Sequence, residues 1–363
     1  MINLDKPIYQ TTIVVAMSGG VDSSTVAAML HAEGYKVIGI TLQLYDHGLA
    51  IGKKGACCAG QDIYDAKMVA EKLNIPHYVL DYESKFKESV IDDFADSYIR
   101  GETPLPCVRC NQSVKFKDLL QMAKDLNADG LATGHYVQRI EGKDGPELHK
   151  GKDPNKDQSY FLFATTKEQL SFLYFPLGNF DKTETRALAK AYDLETAEKA
   201  DSQDICFVPD GNYKKIIEKI RPNAALKGKI LHIDGYELGM HSGIINFTIG
   251  QRKGLGIYGK EPLYVIKIDP KDNIVYVGPI QALNSTQFII KEINWLASPL
   301  GEAELEVQVK IRSSRPGAWA KVKNIANNQM QVTLLSPEKA VSPGQPCVIY
   351  DGERVLGGGW ITR

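Results

Sequence analysis

The chain has 363 residues, 43 Lys and Arg against 44 Asp and Glu, a net charge of −1, and 43% hydrophobic and 24% charged residues. This is the make-up of a globular protein of two or three domains, and it excludes collagen, coiled coil and disorder. The near-zero charge supplies no overall basic field to attract nucleic acid, although charge can still be local. The aliphatic run from Ile13 to Met17 is far short of the roughly 18 residues of a membrane span. The polar start MINLDKPIYQ lacks the basic and apolar regions of a secretory signal, so a cytoplasmic protein with no membrane partner is expected.

From residue 11 to about 200, short apolar runs alternate with helix-period segments, the pattern of βαβ units on a doubly wound parallel sheet. Strands are expected from Thr12 to Met17, Lys36 to Leu42, His77 to Leu80 and Gly130 to Gly134. Ile63, Ala66, Val69, Ala70 and Leu73 recur at helical spacing, as do Phe116, Leu119, Leu120, Ala123 and Leu126. The first of these helices is expected to end at Asn74, with Pro76 just beyond. After about residue 210, LYVIKID, NIVYVG, EVQVKIR and QVTLL read as short strands between turn residues. An α/β domain over 1–210 is therefore expected, then a small β-rich domain over 211–280 and a β-barrel over 281–363. In that last part Lys310, Arg312, Arg315, Lys321 and Lys323 gather around Trp319 with no acid between them. The spacing fits a phosphate-contacting patch and a solvated strand face equally.

The sharpest local signal is SGGVDSS, Ser18 to Ser24, between the first strand and a helix expected to begin near Thr25. Two glycines allow a tight turn that brings backbone N–H groups to a ligand, and a helix N-terminus adds a positive dipole end, so the loop can hold phosphate. It has no GxxxxGK[ST] and hence no lysine aimed at β/γ-phosphates, which suits pyrophosphate release better than γ-phosphoryl transfer. Asp22 is the candidate Mg²⁺ ligand, since that ion takes one or two carboxylates plus phosphate oxygens. The plain alternative is an ordinary strand-to-helix turn.

The loop resembles that of the adenylating ATP pyrophosphatases, which include GMP and NAD synthetases, argininosuccinate synthetase and tRNA thiolases. Further segments narrow the resemblance: TPLPCVRCNQSVKF from Thr103, ATGHY from Ala132, KDQSYFL from Lys156, DSQDICF from Asp201, FTIGQRKGLGI from Phe247 and SPGQPCVIY from Ser342. In this order, over nearly the whole chain, they resemble the tRNA-specific 2-thiouridylases, the MnmA/TrmU family. The resemblance implies ATP-dependent 2-thiolation of the wobble uridine in tRNAs for Lys, Glu and Gln. ATP adenylates the C2 carbonyl, and sulfur comes from a cysteine persulfide supplied by a donor, either a cysteine desulfurase or a relay protein.

By the same matching, Cys206 carries the persulfide and Cys110 is the second catalytic cysteine, joining Cys206 in a transient disulfide. Ala16, Met17, Ser18, Gly19, Gly20, Val21, Asp22, Ser23, Leu42 and Gly134 align with the ATP site. Leu105, Pro106 and Cys107 align with the segment facing the target base, and His135, Lys156, Asp157, Gln158, Arg312, Ser313 and Gln345 with tRNA contacts. His135 has a plain alternative as the cap of the fourth strand. Three positions depart from the family: Leu105 and Cys107 replace the Asn and Asp of a common PNPD, and Ser313 replaces an aromatic.

Six cysteines in a reducing compartment point to chemistry or metal rather than a disulfide framework. Cys107, Cys110 and Cys206 also allow a second scheme, a [4Fe–4S] cluster with one open iron. Zinc is not expected, because Cys107 and Cys110 have no second CxxC at ribbon spacing, and adjacent Cys57 and Cys58 cannot easily share a tetrahedral metal. Cys347 reads as a small buried hydrophobe. Rival functions are an amide synthetase using the same loop on a small metabolite, and a noncatalytic RNA-binding protein with a decayed loop.

Overall fold

The computed structural model describes residues 6–45, 58–201, 205–208, 211–257, 261–301, 303–325 and 328–362. Most of the GKKGACCAG loop with Cys57 falls outside these ranges, as do residues 202–204 of DSQDICF; of Cys58 only its place on the backbone is described. The chain divides into two compact units, one of Met1–Ser89, Cys107–Phe207 and Glu353–Val355, the other of Val90–Pro106, Val208–Gly352 and Leu356–Arg363.

The first unit is α/β. Strands β1 (Thr12–Ala16), β2 (Lys36–Gln43), β3 (His77–Asp81) and β4 (Gly130–Ala132) are followed by a hairpin, β5 (Val137–Gly142) and β6 (Gly145–Lys150), and by β7 (Leu173–Tyr174). The main sheet has the order β3-β2-β1-β4-β7, every neighbouring pair parallel. Ile13, Val14 and Val15 of β1 are fully buried, as a parallel strand covered on both faces requires. Its neighbours lie on opposite sides, Val14 standing opposite Ile38 of β2 and Leu131 of β4. The order thus reverses at β1, and the crevice at its carboxyl end is where such sheets bind ligands.

Helix α1 (Val21–Ala32) leaves that end, α2 (Cys58–Lys72) precedes β3, and α3 (Lys182–Ala191) packs on α1. The helix expected near Thr25 in fact starts at Val21 with Gly20 as N-cap. The glycine supplies the extended cap, and burial of Val21, Ser23 and Ser24 outweighs the turn character of the serines. The later helical run also starts early. It opens with Pro106–Arg109, continues as a π-helix over Cys110–Leu119 and ends with Leu120–Asp125. Proline at a first helical position needs no N–H partner, so Cys107 and Cys110 stand on a helix rather than in a loop.

The second unit carries α4 (Tyr213–Ile220), with Tyr213 stacked on Tyr98 at 4.6 Å, and two β structures. Strands β8 (Gly228–His232), β9 (Glu237–His241), β10 (Tyr264–Asp269) and β11 (Ile274–Gly278) form a sheet of order β10-β11-β8-β9. Strands β12 (Asn284–Trp295), β13 (Leu305–Lys310), β14 (Ala318–Ile325), β15 (Gln329–Lys339), β16 (Pro346–Asp351) and β17 (Arg354–Ile361) follow in the order β12-β15-β14-β13-β16-β17. Pairing of β17 back onto β12 closes them into a six-stranded barrel, which removes free edges. Val307, Val309, Ala320, Val322, Val332 and Cys347 fill its core. No described helix is long and apolar enough to cross a membrane.

Candidate active site

The turn after β1 is set by close approach. Gly19 has φ 71°, and a Cβ there would lie 2.0 Å from the Asp62 carbonyl oxygen. A Cβ on Gly134 would lie 2.9 Å from the Ser23 nitrogen, so glycine lets the strand end after β4 touch the first turn of α1. Ser23 Oγ accepts from the Ser18 N–H at 3.1 Å and donates to the Gly20 carbonyl at 3.3 Å. Ala16 ends β1, the Met17 N–H donates to the Ile40 carbonyl at 2.8 Å, and Leu42 stands in β2 opposite Leu80. The candidate ATP residues therefore gather at the reversal point of the sheet.

Around this turn lie charged residues that the motifs did not single out. Lys182, on α3, donates to Asp22 Oδ1 at 2.7 Å, and Tyr136 donates its hydroxyl to the same oxygen at 2.8 Å. Lys182 also bridges to Asp201 Oδ1 at 2.8 Å, while Lys156 binds Asp201 Oδ2 at 2.7 Å. Burial alone would raise Asp201, but Lys156 and Lys182 outweigh it and hold the carboxyl at about 2. Lys199 donates to the Gly19 carbonyl at 2.9 Å and to Asp62 at 2.7 Å. The cation missing from the loop sequence is thus brought by elements more than a hundred residues away.

The sulfur residues belong to the same unit. Cys107 and Cys206 reach solvent, whereas Cys110 is buried, 7% exposed. Protein atoms crowd Cys206, and with the neighbouring Cys110 and Cys107 they push its thiol up to about 12. Desolvation likewise raises Cys107 and Cys110, with Lys115 opposing in both cases. Lys115 acts on all three thiols and on His135, and it has no hydrogen-bond or ion-pair partner among the described residues. It lies inside the TPLPCVRCNQSVKF segment, and only the helical path of that segment reveals its role. Asn111, beside Cys110, leaves its buried Oδ1 without a partner. An unmet acceptor of that kind is worth about 1–3 kcal/mol to a ligand able to donate.

His135 follows β4 with Nδ1 2.8 Å from Thr133 Oγ1 and its ring edge-on to Phe116. Burial, aided by Lys115, lowers it to about 3, so the ring is neutral. Asp157 accepts from the N–H groups of Gly151 and Ser159, and Gln158 Oε1 from that of Tyr136; with Lys156 they order this turn. In the second unit Leu105 is half-buried, Pro106 buried and Ser313 exposed. Gln345 donates to the Thr103 carbonyl at 2.8 Å, and Arg312 to the Ala340 carbonyl at 2.9 Å. The basic stretch is not free of acid once folded, since Arg315 meets Glu338 at 3.5 Å. Lys321 and Lys323 lie on the exposed face of β14 with Trp319.

Cys347 is fully buried in β16. Among the described residues no three His, Cys, Asp or Glu side chains are grouped to hold a metal ion. Cys107, Cys110 and Cys206 are all described, so the trio does not fit a cluster and no step is derived through one. Asp22 Oδ2 has no partner among the described residues, which leaves one carboxylate oxygen open to a cation shared with phosphate.

Residues 11–210 match the family model described as the tRNA methyl transferase HUP domain, 214–279 the tRNA methyl transferase PRC-barrel domain, and 285–361 the aminomethyltransferase beta-barrel domain. A tRNA-specific 2-thiouridylase MnmA of Rickettsia conorii (strain ATCC VR-613 / Malish 7) is 70% identical over 365 aligned positions, covering 100% of this chain and 98% of that one. The protein of the same name from Rickettsia canadensis (strain McKiel) is 71% identical with the same coverage. A solved 4-thiouridine synthetase–RNA complex with bound ATP is 17% identical, covers 59% of this chain and 51% of that one, and has a TM-score of 0.37. That likeness is too remote to carry an argument.

Proposed function

The chain belongs to the tRNA-specific 2-thiouridylase family, and we propose that it replaces the C2 oxygen of the wobble uridine in tRNAs for Lys, Glu and Gln with sulfur in two steps at the first unit. The observation that carries the mechanism is the exposed Cys206 within electrostatic reach of buried Cys110, in the unit that holds the Ser18–Ser23 turn.

In the first step the uracil C2 oxygen attacks the α-phosphorus of ATP and pyrophosphate leaves. Backbone N–H groups and hydroxyls at the start of α1 bind the phosphates, and Lys182 and Lys199, paired with Asp22, Asp201 and Asp62, brace the turn that presents them. Asp22 would hold Mg²⁺, which would supply charge neutralisation for the leaving pyrophosphate. The second step uses a persulfide on Cys206, charged by a cysteine desulfurase or a relay protein. Its terminal sulfur attacks C2 and AMP leaves. Cys110, its thiol deprotonated in the step, then attacks Cys206 Sγ, the S–S bond breaks with sulfur and its electron pair kept on the base, and an external thiol reduces the resulting Cys110–Cys206 disulfide. Cys107 borders this site with a protonated thiol, so it cannot take the base role of the aspartate found there in many relatives.

Three domains are proposed, 1–210 for catalysis, 211–280 as a small central domain and 281–363 as a tRNA-binding barrel, supported by the three matched ranges. Leu105 to Cys107, His135, Lys156 to Gln158, Arg312, Ser313 and Gln345 are taken as RNA-facing, and the cytoplasm, where tRNA is modified, as the compartment. The test is release of AMP and pyrophosphate from ATP with and without tRNA. Cleavage that requires tRNA is expected. Cleavage with a small metabolite alone would indicate a synthetase, and no cleavage at all a binding protein.

A further inference from the structure

The turn GQRKGLG, from Gly250 to Gly256, has no part in the chemistry above, yet the second unit builds it with care. The Gly250 N–H donates to the Val265 carbonyl at 2.8 Å and the Val265 N–H to the Gln251 carbonyl at 2.9 Å. Gln251 closes the turn with its own side chain, accepting from the Thr248 N–H at 3.0 Å and donating to the Lys253 carbonyl at 3.0 Å. Ile249 and Leu255 anchor it in the core of the β8–β11 sheet. Arg252 and Lys253 are left exposed on this fixed turn, and neither has an ion-pair or hydrogen-bond partner for its side chain among the described residues.

Beside them opens a cavity of about 390 Å³, lined by Arg252, Gly254, Leu255, Gly256, Glu261 and Leu263 among others. Gly254 and Gly256 have φ 73° and 70°. A Cβ on Gly256 would meet nothing within 4 Å, and one on Gly254 nothing nearer than 3.9 Å. Their glycines serve the left-handed turn rather than packing, and they leave the cavity wall as bare backbone, which suits contact with a phosphate. The turn also continues a basic edge, because a Cβ on Gly250 would stand 3.8 Å from Arg312 Nη2.

We propose that this cavity is an RNA-backbone subsite of the second unit, in which Arg252 of the cavity wall, with Lys253 next to it on the turn, binds a phosphate of the tRNA substrate beside Arg312. The proposal rests on the assignment of tRNA as substrate. Unpaired cations on a fixed backbone turn are favoured here because their charge is not already spent on a carboxylate and the backbone needs no ordering on binding. The cavity size suits one phosphate and its sugar, and Glu261 at its wall adds an acceptor for a ribose hydroxyl.

The test is tRNA binding by the Arg252→Ala/Lys253→Ala double variant across a salt series, beside wild type and the charge-keeping Arg252→Lys/Lys253→Arg. The double variant is expected to bind tRNA about tenfold more weakly near 0.1 M salt. Its log–log salt slope should be shallower by about 0.7–0.9 for each phosphate that is no longer neutralised. The charge-keeping variant should retain the wild-type slope, and both should keep the wild-type thermal midpoint. An unchanged slope and affinity in the double variant would overturn the proposal. So would millimolar inorganic phosphate that binds wild type but not the double variant while tRNA affinity stays unchanged, which would make the cavity a site for the free ion. Because binding is read without turnover, wild type that binds tRNA but fails to thiolate it would count against the reaction and not against this subsite.

Discussion

Cys206 combines two properties that pull against each other: its sulfur reaches solvent, yet its thiol is pushed up to about 12 by the crowding of protein atoms and by two neighbouring thiols. A raised thiol pKa means little thiolate at neutral pH, so the resting residue is a poor nucleophile despite its access. Iodoacetamide labelling of Cys206, followed on its own peptide, should be slow at pH 7.5 and climb through pH 9–12. A rate already level at pH 8 would contradict this environment. Lys115→Ala removes the cation that opposes the shift and should slow labelling further, whereas Lys115→Arg should not. The sequence offered Cys110 and Cys206 as a pair through their flanking motifs. The ionisation was not legible there, since it depends on atoms brought from Cys107, Cys110 and Lys115 by the fold.

Asp201 of the DSQDICF segment pairs with Lys182 of α3 and with Lys156, with Arg186 adding a contact at 3.1 Å. Its folded pKa lies below the usual aspartate value, at about 2. The stabilisation is therefore fully present above about pH 4 and fades as pH falls toward 2. Discounted for the water that still reaches it, the group contributes on the order of 1–2 kcal/mol. Urea unfolding of Asp201→Asn should show that loss at pH 7 and a clearly smaller gap from wild type at pH 3. An equal gap at both values would place its role elsewhere. At this scale the buried strands were readable because β1 and β2 are aliphatic runs. The β5–β6 hairpin was missed, since its polar alternation and Lys143–Asp144 turn sit inside a region whose dominant pattern is βαβ. The early start of α1 was missed because capping by Gly20 and burial of Val21 are tertiary facts.

Across the whole molecule, the change from helical to β patterns near residue 210 gave the class of each part, and the closed barrel was expected from strands such as EVQVKIR and QVTLL. Sequence could not give the route of the chain, in which residues 90–106 join the second unit and 353–355 the first; such returns are set by long-range packing alone. Nor could it show that Lys182 and Lys199 bring charge to the turn after β1. Mass spectrometry of nucleosides from unmodified tRNA, incubated with the protein, ATP, Mg²⁺ and a persulfide donor, decides whether ATP and persulfide sulfur become a 2-thiouridine on tRNA. A uridine heavier by the exchange of one oxygen for sulfur is expected, formed only with ATP and absent with Cys206→Ser or Cys110→Ser; unmodified uridine from the complete wild-type reaction, or full product from either variant, would refute the reaction.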